Sequence, residues 1–370
     1  MNEDLASHQR IGRLTPLADV LAAIGQIEPV APYDIAVAAA RGCILATDIV
    51  AKEPVPSKPV ALRDGWAVDA DSTRDAAAYA PLTLQPQPKR IDTFAALPQG
   101  TDAVAPLDAV TSLGGVMQIT APVAPGEGVL PIGGDIDARA RLRSAGLPLR
   151  ASDIAVLATA GVAIVTVRKP LVLVVNTRPD DPILGATAAL VMRAITESGA
   201  RTDISVDLDD ALQSDGADAI ISIGGTGLGR TDRSVIALSR SGMVTCHGIG
   251  ISPGETSAFG MSKGRPVLLM PGRTDAALAC WLLVGKPLID RLAGARRHDM
   301  AMNATLTRKV TSAIGFAEVV PLVRNDDGVE PLAFGYLPLQ SLTRANGWML
   351  VPPESEGFPA GTEIAMRPLP

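Results

Sequence analysis

The stretch AIISIGGTGLGRTDRSVIAL, residues 219–238, decides the fold. A five-residue apolar run, Ala219 to Ile223, meets four glycines, Gly224, Gly225, Gly227 and Gly229. A polar, helix-spaced segment follows. A short apolar run bounded by glycine reads as a strand covered on both faces. The glycines let the backbone approach a ligand and take positive φ. Thr231 or Asp232 is placed to cap the helix, and free N–H groups at its start favour an anion. Neither common nucleotide fingerprint fits. Counted from Gly225, the third glycine of G-x-G-x-x-G falls on Arg230, and no G-x-x-x-x-G-K-[ST] exists. The plainer reading is that the glycines only turn the chain tightly.

Working outward, the same texture repeats. LVLVV (171–175) is a strand running into NTRPDDP, and GATAALVMRAITESGA is a helix stopped by Gly199. TDISVDL is a strand, PVLLM (266–270) another, and TDAALACWLLVGKPLIDRLAG a long helix. Strands alternating with helices predict a mostly parallel sheet with helices on both faces. In such sheets ligands bind at the carboxyl ends of strands. Three strand ends carry polar loops, each with one arginine: Arg178, Arg230 and Arg273. Asp180, Asp181, Asp232 and Asp275 lie beside them. Arginine suits phosphate or carboxylate, and the carboxylates suit Mg²⁺ bridging to phosphate. Alternatively, these charges pair with one another on the surface.

Towards the N-terminus, TPLADVLAAIGQI (15–27) predicts an amphipathic helix with Thr15 as cap, and DIAVAAARG a second helix over 34–41 ended by Gly42. Prolines then crowd a β-type region from Asp48 to about Pro131. Helical spacing returns in SDIAVLATAGV (152–162). From about His298 the chain turns β-like again. The reading is four units: a discontinuous helical domain (1–47 and 132–168), an inserted β domain (48–131), an α/β domain (169–297) and a C-terminal β domain (298–370).

The 370 residues are 47% hydrophobic but only 3% aromatic, with a net charge of -6. A core of Ala, Val, Leu and Ile is implied. A basic stripe and stacking aromatics for nucleic acid are absent. Cys43, Cys246 and Cys280 follow no metal spacing, and His8, His247 and His298 are scattered. Cys246–His247 is the one adjacent pair, with no third ligand near it in sequence. There is no membrane-length apolar run, and MNEDLASHQR has no signal-peptide core, so a cytoplasmic protein is expected.

ALRDGWAV (61–68), GDI (134–136), SDIAVLATAGVAIVTVRKPLVLVVNT, SIGGTGLGRTD, ISPGETSAFG, LLMPGR and SLTRANG resemble, in order, segments of the molybdopterin molybdenumtransferase (MoeA/gephyrin) family. The resemblance covers nearly the whole chain. It implies a homodimer with a MogA-like three-layer α/β domain, a discontinuous helical domain, an inserted β domain and a C-terminal β-barrel. It implies molybdopterin, a pterin dithiolene with a terminal phosphate, as ligand. The family's enzymes cleave adenylylated molybdopterin and insert molybdate with help from Mg²⁺. Other cofactor-biosynthesis proteins or a molybdoenzyme would be partners.

Carried onto this chain, the resemblance puts catalysis on Asp64, Asp135, Asp180 and Asp232, with Asp64 and Asp232 at the metal. Ligand contacts fall on Thr177, Arg178, Gly224, Gly225, Thr226, Gly227, Arg230, Ser252, Pro253, Gly254, Pro271, Gly272, Arg273 and Ser341. The chain also departs from the pattern. Trp66 replaces a tyrosine, Gly134 a glutamate, and a T-G-A-P loop reads TFAALP from Thr93 to Pro98. A K-P-G-K segment reads Ser252-Pro253-Gly254-Glu255, so two lysines near the anion are gone. Two charged hydrogen bonds of roughly 1.5–3 kcal/mol each are thereby lost. Arg63, Arg178, Arg230 and Arg273 stand where the family carries uncharged or acidic residues. Positive charge has been moved, and molybdopterin binding is a firmer expectation than molybdenum insertion. A carrier or scaffold without turnover, or an enzyme for another nucleotide or phosphorylated ligand, are the alternatives.

Overall fold

The computed structural model describes residues 9–296 and 299–370. His8 and His298 and the extreme N-terminal decapeptide's first eight residues lie outside the described residues, as does the boundary expected at 297–298.

Helix α1 (Leu17–Gly25) buries Val20 and Ile24. Thr15 does not cap it. Thr15 forms a bridge with Ile249, and Pro16 holds the cap position. The helix expected over 34–41 is corrected: Tyr33–Ala36 is a strand and Val37–Ala39 a single 3₁₀ turn. Tyr33 to Ala36 pair antiparallel with Val167 to Ile164, and this long-range ladder overrides the local Ala-rich preference. Helix α2 (Ala151–Thr159) follows the reading. The two helices do not form one helical unit. α2 closes a small core with Val37, Leu45, Leu149 and Val167, whereas α1 joins the core of the α/β domain. Between them, the proline-rich segment makes short strands such as Gly65–Val68, flanked by Lys89–Ile91 and Ala103–Ala105.

The α/β domain contains strands β1 (Leu171–Asn176), β2 (Arg201–Ser205), β3 (Ala219–Ile223), β4 (Met243–His247), β5 (Ala258–Ser262) and β6 (Arg265–Met270). Their order across the sheet is β2-β1-β3-β6-β5-β4. β2, β1, β3 and β6 are parallel, and β5 and β4 are antiparallel additions. Every residue of β3 is buried. Ala219, Ile221 and Ile223 face one apolar layer and Ile220 the other, which is why its sequence does not alternate. The domain's helices are α3 (Pro182–Glu197), α4 (Leu208–Gln213), α5 (Ser234–Ser241), α6 (Thr274–Cys280) and α7 (Lys286–Leu292). A π turn, Trp281–Gly285, joins the last two.

The C-terminal region closes on itself. Strands β7 (Met302–Thr305), β8 (Ala317–Asn325), β9 (Gly328–Pro331), β10 (Gly347–Val351) and β11 (Glu363–Met366) pair β9-β8-β10 and β7-β11. Reciprocal bonds of 2.8 Å between Trp348 and Arg367 tie β10 to the end of β11, and Thr307 N–H to Val329 O (2.9 Å) ties β7 to β9. A five-strand barrel results, filled by Val320, Leu322, Val329 and Met349. Its short helix α8 is Leu339–Arg344. Among the described residues, no helix is long and apolar enough to cross a membrane.

Candidate functional site

Parallel strands β1, β3 and β6 end side by side, so their loops share one rim. Gly224 (φ +97°) lies against Thr177 and Leu184, and a Cβ there would strike the Thr177 hydroxyl. A Cβ on Gly272 would meet Leu184 at 3.1 Å and the Cα of Gly224 at 3.5 Å. Thr177, Gly224 and Gly272 are therefore brought together, with Pro271 buried behind them. Thr177 is anchored by its hydroxyl to Ile223 O at 3.0 Å.

The glycine loop itself is held by its carbonyls. Gly224 O accepts from Ser234 Oγ at 2.9 Å, and Gly225 O from Ser234 N–H at 3.0 Å. Gly225 O and Gly227 O also accept from the Gln9 side-chain amide, at 3.0 and 2.7 Å. Thr226 O accepts from His247 Nε2 at 3.0 Å, which fixes the proton on that nitrogen. In a planar trans peptide the carbonyl and the next N–H point opposite ways. Inward carbonyls at 224–227 therefore turn the N–H groups of Gly225, Thr226, Gly227 and Leu228 away from the body. No acceptor among the described residues takes these four N–H groups. Consecutive amides of this kind form an anion-binding concavity.

α5 begins at Ser234, and its first two amides are already taken, Ser234 N–H by Gly225 O and Val235 N–H by Gln9 Oε1 at 2.7 Å. The expected cap at Thr231 or Asp232 is thereby corrected: Asp232 turns back to accept from Gly229 N–H at 2.9 Å. The carboxylate lies where a Cβ on Gly227 would come, at 2.6 Å. That crowding is the local reason for glycine at 227.

Of the arginines, Arg230 is exposed and has no partner among the described residues. Arg178 stands 3.7 Å from Asp181, which caps α3; Asp180 is exposed. Arg273 is committed. Asp275 binds it through both oxygens, at 3.1 and 2.6 Å, and its guanidinium lies 5.0 Å from the Tyr336 ring centre. Asp275 holds the Arg273 pKa above its ordinary value, and Glu255 adds to this. Asp275 also accepts from Leu337 N–H at 3.2 Å, so the junction between α/β domain and barrel runs through it. Pro253 and Gly254 are buried below Ala276, Ser252 is half-buried, and Glu255 is exposed. Ser341 is buried in α8, and no hydrogen bond among the described residues joins it to the rim.

Two predicted acids lie apart. Asp64 accepts from Thr93 N–H at 2.7 Å and Thr93 Oγ1 at 2.9 Å. These bonds, the backbone one foremost, hold its pKa below the ordinary value. Asp135 is exposed. No hydrogen bond or ion pair among the described residues connects either to the rim. No group of three His, Cys, Asp or Glu among them could hold a metal; His247 bonds the loop instead, and Cys246 is buried in the core. Sequence reasoning missed Gln9 and Tyr336, because their partners are distant in the chain.

A glycine loop on a parallel sheet, between a mixed N-terminal region and a five-strand barrel, matches three family models in order. "MoeA N-terminal region (domain I and II)" matches residues 15–161, "probable molybdopterin binding domain" 197–291, and "MoeA C-terminal region (domain IV)" 303–369. The chain belongs to the MoeA family. It is similar to the molybdopterin molybdenumtransferase of Haemophilus influenzae, 23% identical over 372 residues, covering 88% of this chain and 91% of that one. It is also similar to molybdopterin molybdenumtransferase 2 of Mycobacterium tuberculosis, 25% identical over 388 residues, covering 90% and 94%. The solved molybdopterin biosynthesis MoeA protein from Pyrococcus horikoshii superposes with a TM-score of 0.74 at 26% identity, covering 97% of this chain and 100% of that one. The glycine loop of this MoeA-family chain lies inside the segment, residues 197–291, that matches the probable molybdopterin binding domain.

Proposed function

We propose that this protein binds molybdopterin in molybdenum cofactor biosynthesis, with the ligand's terminal phosphate on the outward amides of Gly225 to Leu228. The carrying observation is the four inward carbonyls that leave those amides free. Charge-assisted N–H bonds to a phosphate contribute roughly 1.5–3 kcal/mol each in a sheltered site. Arg230 and Arg178 add positive charge beside it, while Arg273 mainly braces the barrel. In the full reading, adenylylated molybdopterin and molybdate are substrates. Asp64 remains a carboxylate at neutral pH but lies apart from the loop, so within one chain Asp232, beside Gly227 and Gly229, is the acid placed at the phosphate. An assisting Mg²⁺ would be held by Asp232, with Asp64 the second acid that the resemblance assigns, and would polarise phosphate oxygens.

A second reading, a carrier without turnover, is favoured by Glu255. It places negative charge near Arg273 where the resembling segment has lysine. One experiment separates the two: titration with molybdopterin, alongside hydrolysis of adenylylated molybdopterin with Mg²⁺ and molybdate. Binding with turnover supports the enzyme, and binding without it supports the carrier. Absence of binding overturns both. Mass analysis of whatever ligand co-purifies gives an independent check.

The proposed assembly is a homodimer. The α2 unit exposes Tyr33, Val50, Val156 and Ile164, an apolar set suited to a second copy.

A further inference from the structure

The glycine loop cannot hold its own carbonyls. Gly227 O has one partner among the described residues, the Gln9 amide at 2.7 Å, and Gly225 O shares that same nitrogen at 3.0 Å. Gln9 Oε1 in turn takes Val235 N–H at 2.7 Å. Both amide protons and the amide oxygen of Gln9 are thus used, which also fixes the amide orientation, since the flipped form would set oxygen against two carbonyls. Gln9 is only 5% exposed although it lies so near the N-terminus. Its segment is seated by Thr15 N–H to Gly248 O (2.9 Å) and Gly250 N–H to Thr15 O (2.8 Å). The chemistry demanded at this point is narrow. Glutamate lacks the two donors, lysine lacks the acceptor, and asparagine is one carbon short.

We propose that Gln9 is a positioning residue for the anion site: a clip, 216 residues distant from the loop in sequence, that keeps the carbonyls of Gly225 and Gly227 inward and so aims the following amides at the ligand phosphate. Glycines at these positions permit either peptide orientation, and Gln9 selects one. The proposal rests on the molybdopterin-binding reading for its ligand but not for its local effect, and the test reads the two separately.

The test uses the full chain with Gln9→Ala and Gln9→Glu. Amide hydrogen exchange in the unliganded protein should show faster exchange at Val235 and Ser234 in Gln9→Ala, whatever the ligand proves to be. Titration with molybdopterin should show binding weakened about tenfold to a hundredfold, the range for two or three lost hydrogen bonds, and the melting temperature should fall as well, because Gly227 O and Val235 N–H lose a buried partner. Gln9→Glu discriminates positioning from simple packing. Its carboxylate has no donor at pH 8, but the protonated acid has one donor and one acceptor. Its affinity relative to the native chain should therefore recover as pH is lowered towards 5, whereas Gln9→Ala should show no recovery. Unchanged exchange and unchanged affinity in Gln9→Ala would overturn the clip. So would equal pH profiles for the two variants. If the native chain fails to bind molybdopterin while Val235 exchange still depends on Gln9, the clip stands and the ligand assignment falls.

Discussion

At Gly225 the backbone takes φ +72°, and a Cβ would strike the Ser234 hydroxyl. A branched side chain there is opposed twice, by strain and by contact. Gly225→Val is expected to abolish molybdopterin binding while the cooperative melt is retained, and a titration with a parallel melting curve checks this. Unchanged affinity would mean the glycines are only a turn. Arg230→Ala removes a charge with no partner among the described residues, so its expected effect is confined to binding, weaker by tenfold to a hundredfold in the same titration. Asp153 is a different case. It is buried, and it accepts from Arg150 N–H (2.8 Å) and the Arg150 guanidinium (2.9 Å), with Arg143 at 3.3 Å. These partners, the Arg150 side chain first, hold its pKa below the ordinary 3.8. Its stabilisation is therefore complete above pH 3.8 and lost as pH falls through the lower folded value. Asp153→Asn should cost about 2 kcal/mol at pH 7 and flatten the acid limb of stability. Denaturant melts at pH 7 and below pH 4 read both effects.

At the scale of elements, the long helix from Thr274 to Leu292 shows two principles in competition. Gly285 ends its π turn, and a Cβ there would meet Trp281 at 2.6 Å and Met270 at 3.0 Å. Alanine is the better helix former by about 1 kcal/mol. Overpacking of a filled core costs typically 1–3 kcal/mol. Both contacts are with fully buried side chains, so packing wins. Gly285→Ala is expected to lower the melting temperature, and a higher one would show that the π turn relaxes freely. The strand at Tyr33–Ala36 lost its expected helix by the same kind of contest, since a four-residue ladder outweighs alanine's small local preference.

For the whole molecule, Asp275 is the joint between two domains. It is 3% exposed and receives Arg273 from the rim and Leu337 from the barrel's approach. Asp275→Ala should cost about 2 kcal/mol and speed proteolytic cutting between α7 and the barrel. Resistance equal to that of the native chain would show that apolar packing alone seats the barrel. The apolar residues exposed around α2 predict a dimer. Light scattering at micromolar concentration should give about twice the 38.2 kDa chain mass, and a value at the chain mass would remove the dimer from the reading.

The sequence by itself determined the parallel part of the sheet but not its two antiparallel strands, Met243–His247 and Ala258–Ser262; it also determined the buried character of Ala219–Ile223, the glycine loop after it and the β texture of the C-terminus. These depend on local pattern: continuous apolar runs, glycine at positive φ, and helix periodicity. The family's motifs, read in order, carried the ligand class. Only the tertiary structure decided which way the loop's amides face. That choice is made by Gln9, Ser234 and His247, whose hydrogen bonds cross up to 226 residues of chain. It also decided that Arg273 is bound to Asp275 and Tyr336 while Arg230 has no partner among the described residues. The spacing of charges gives their number on a rim, but the pairing depends on which side chains the fold brings within about 3 Å.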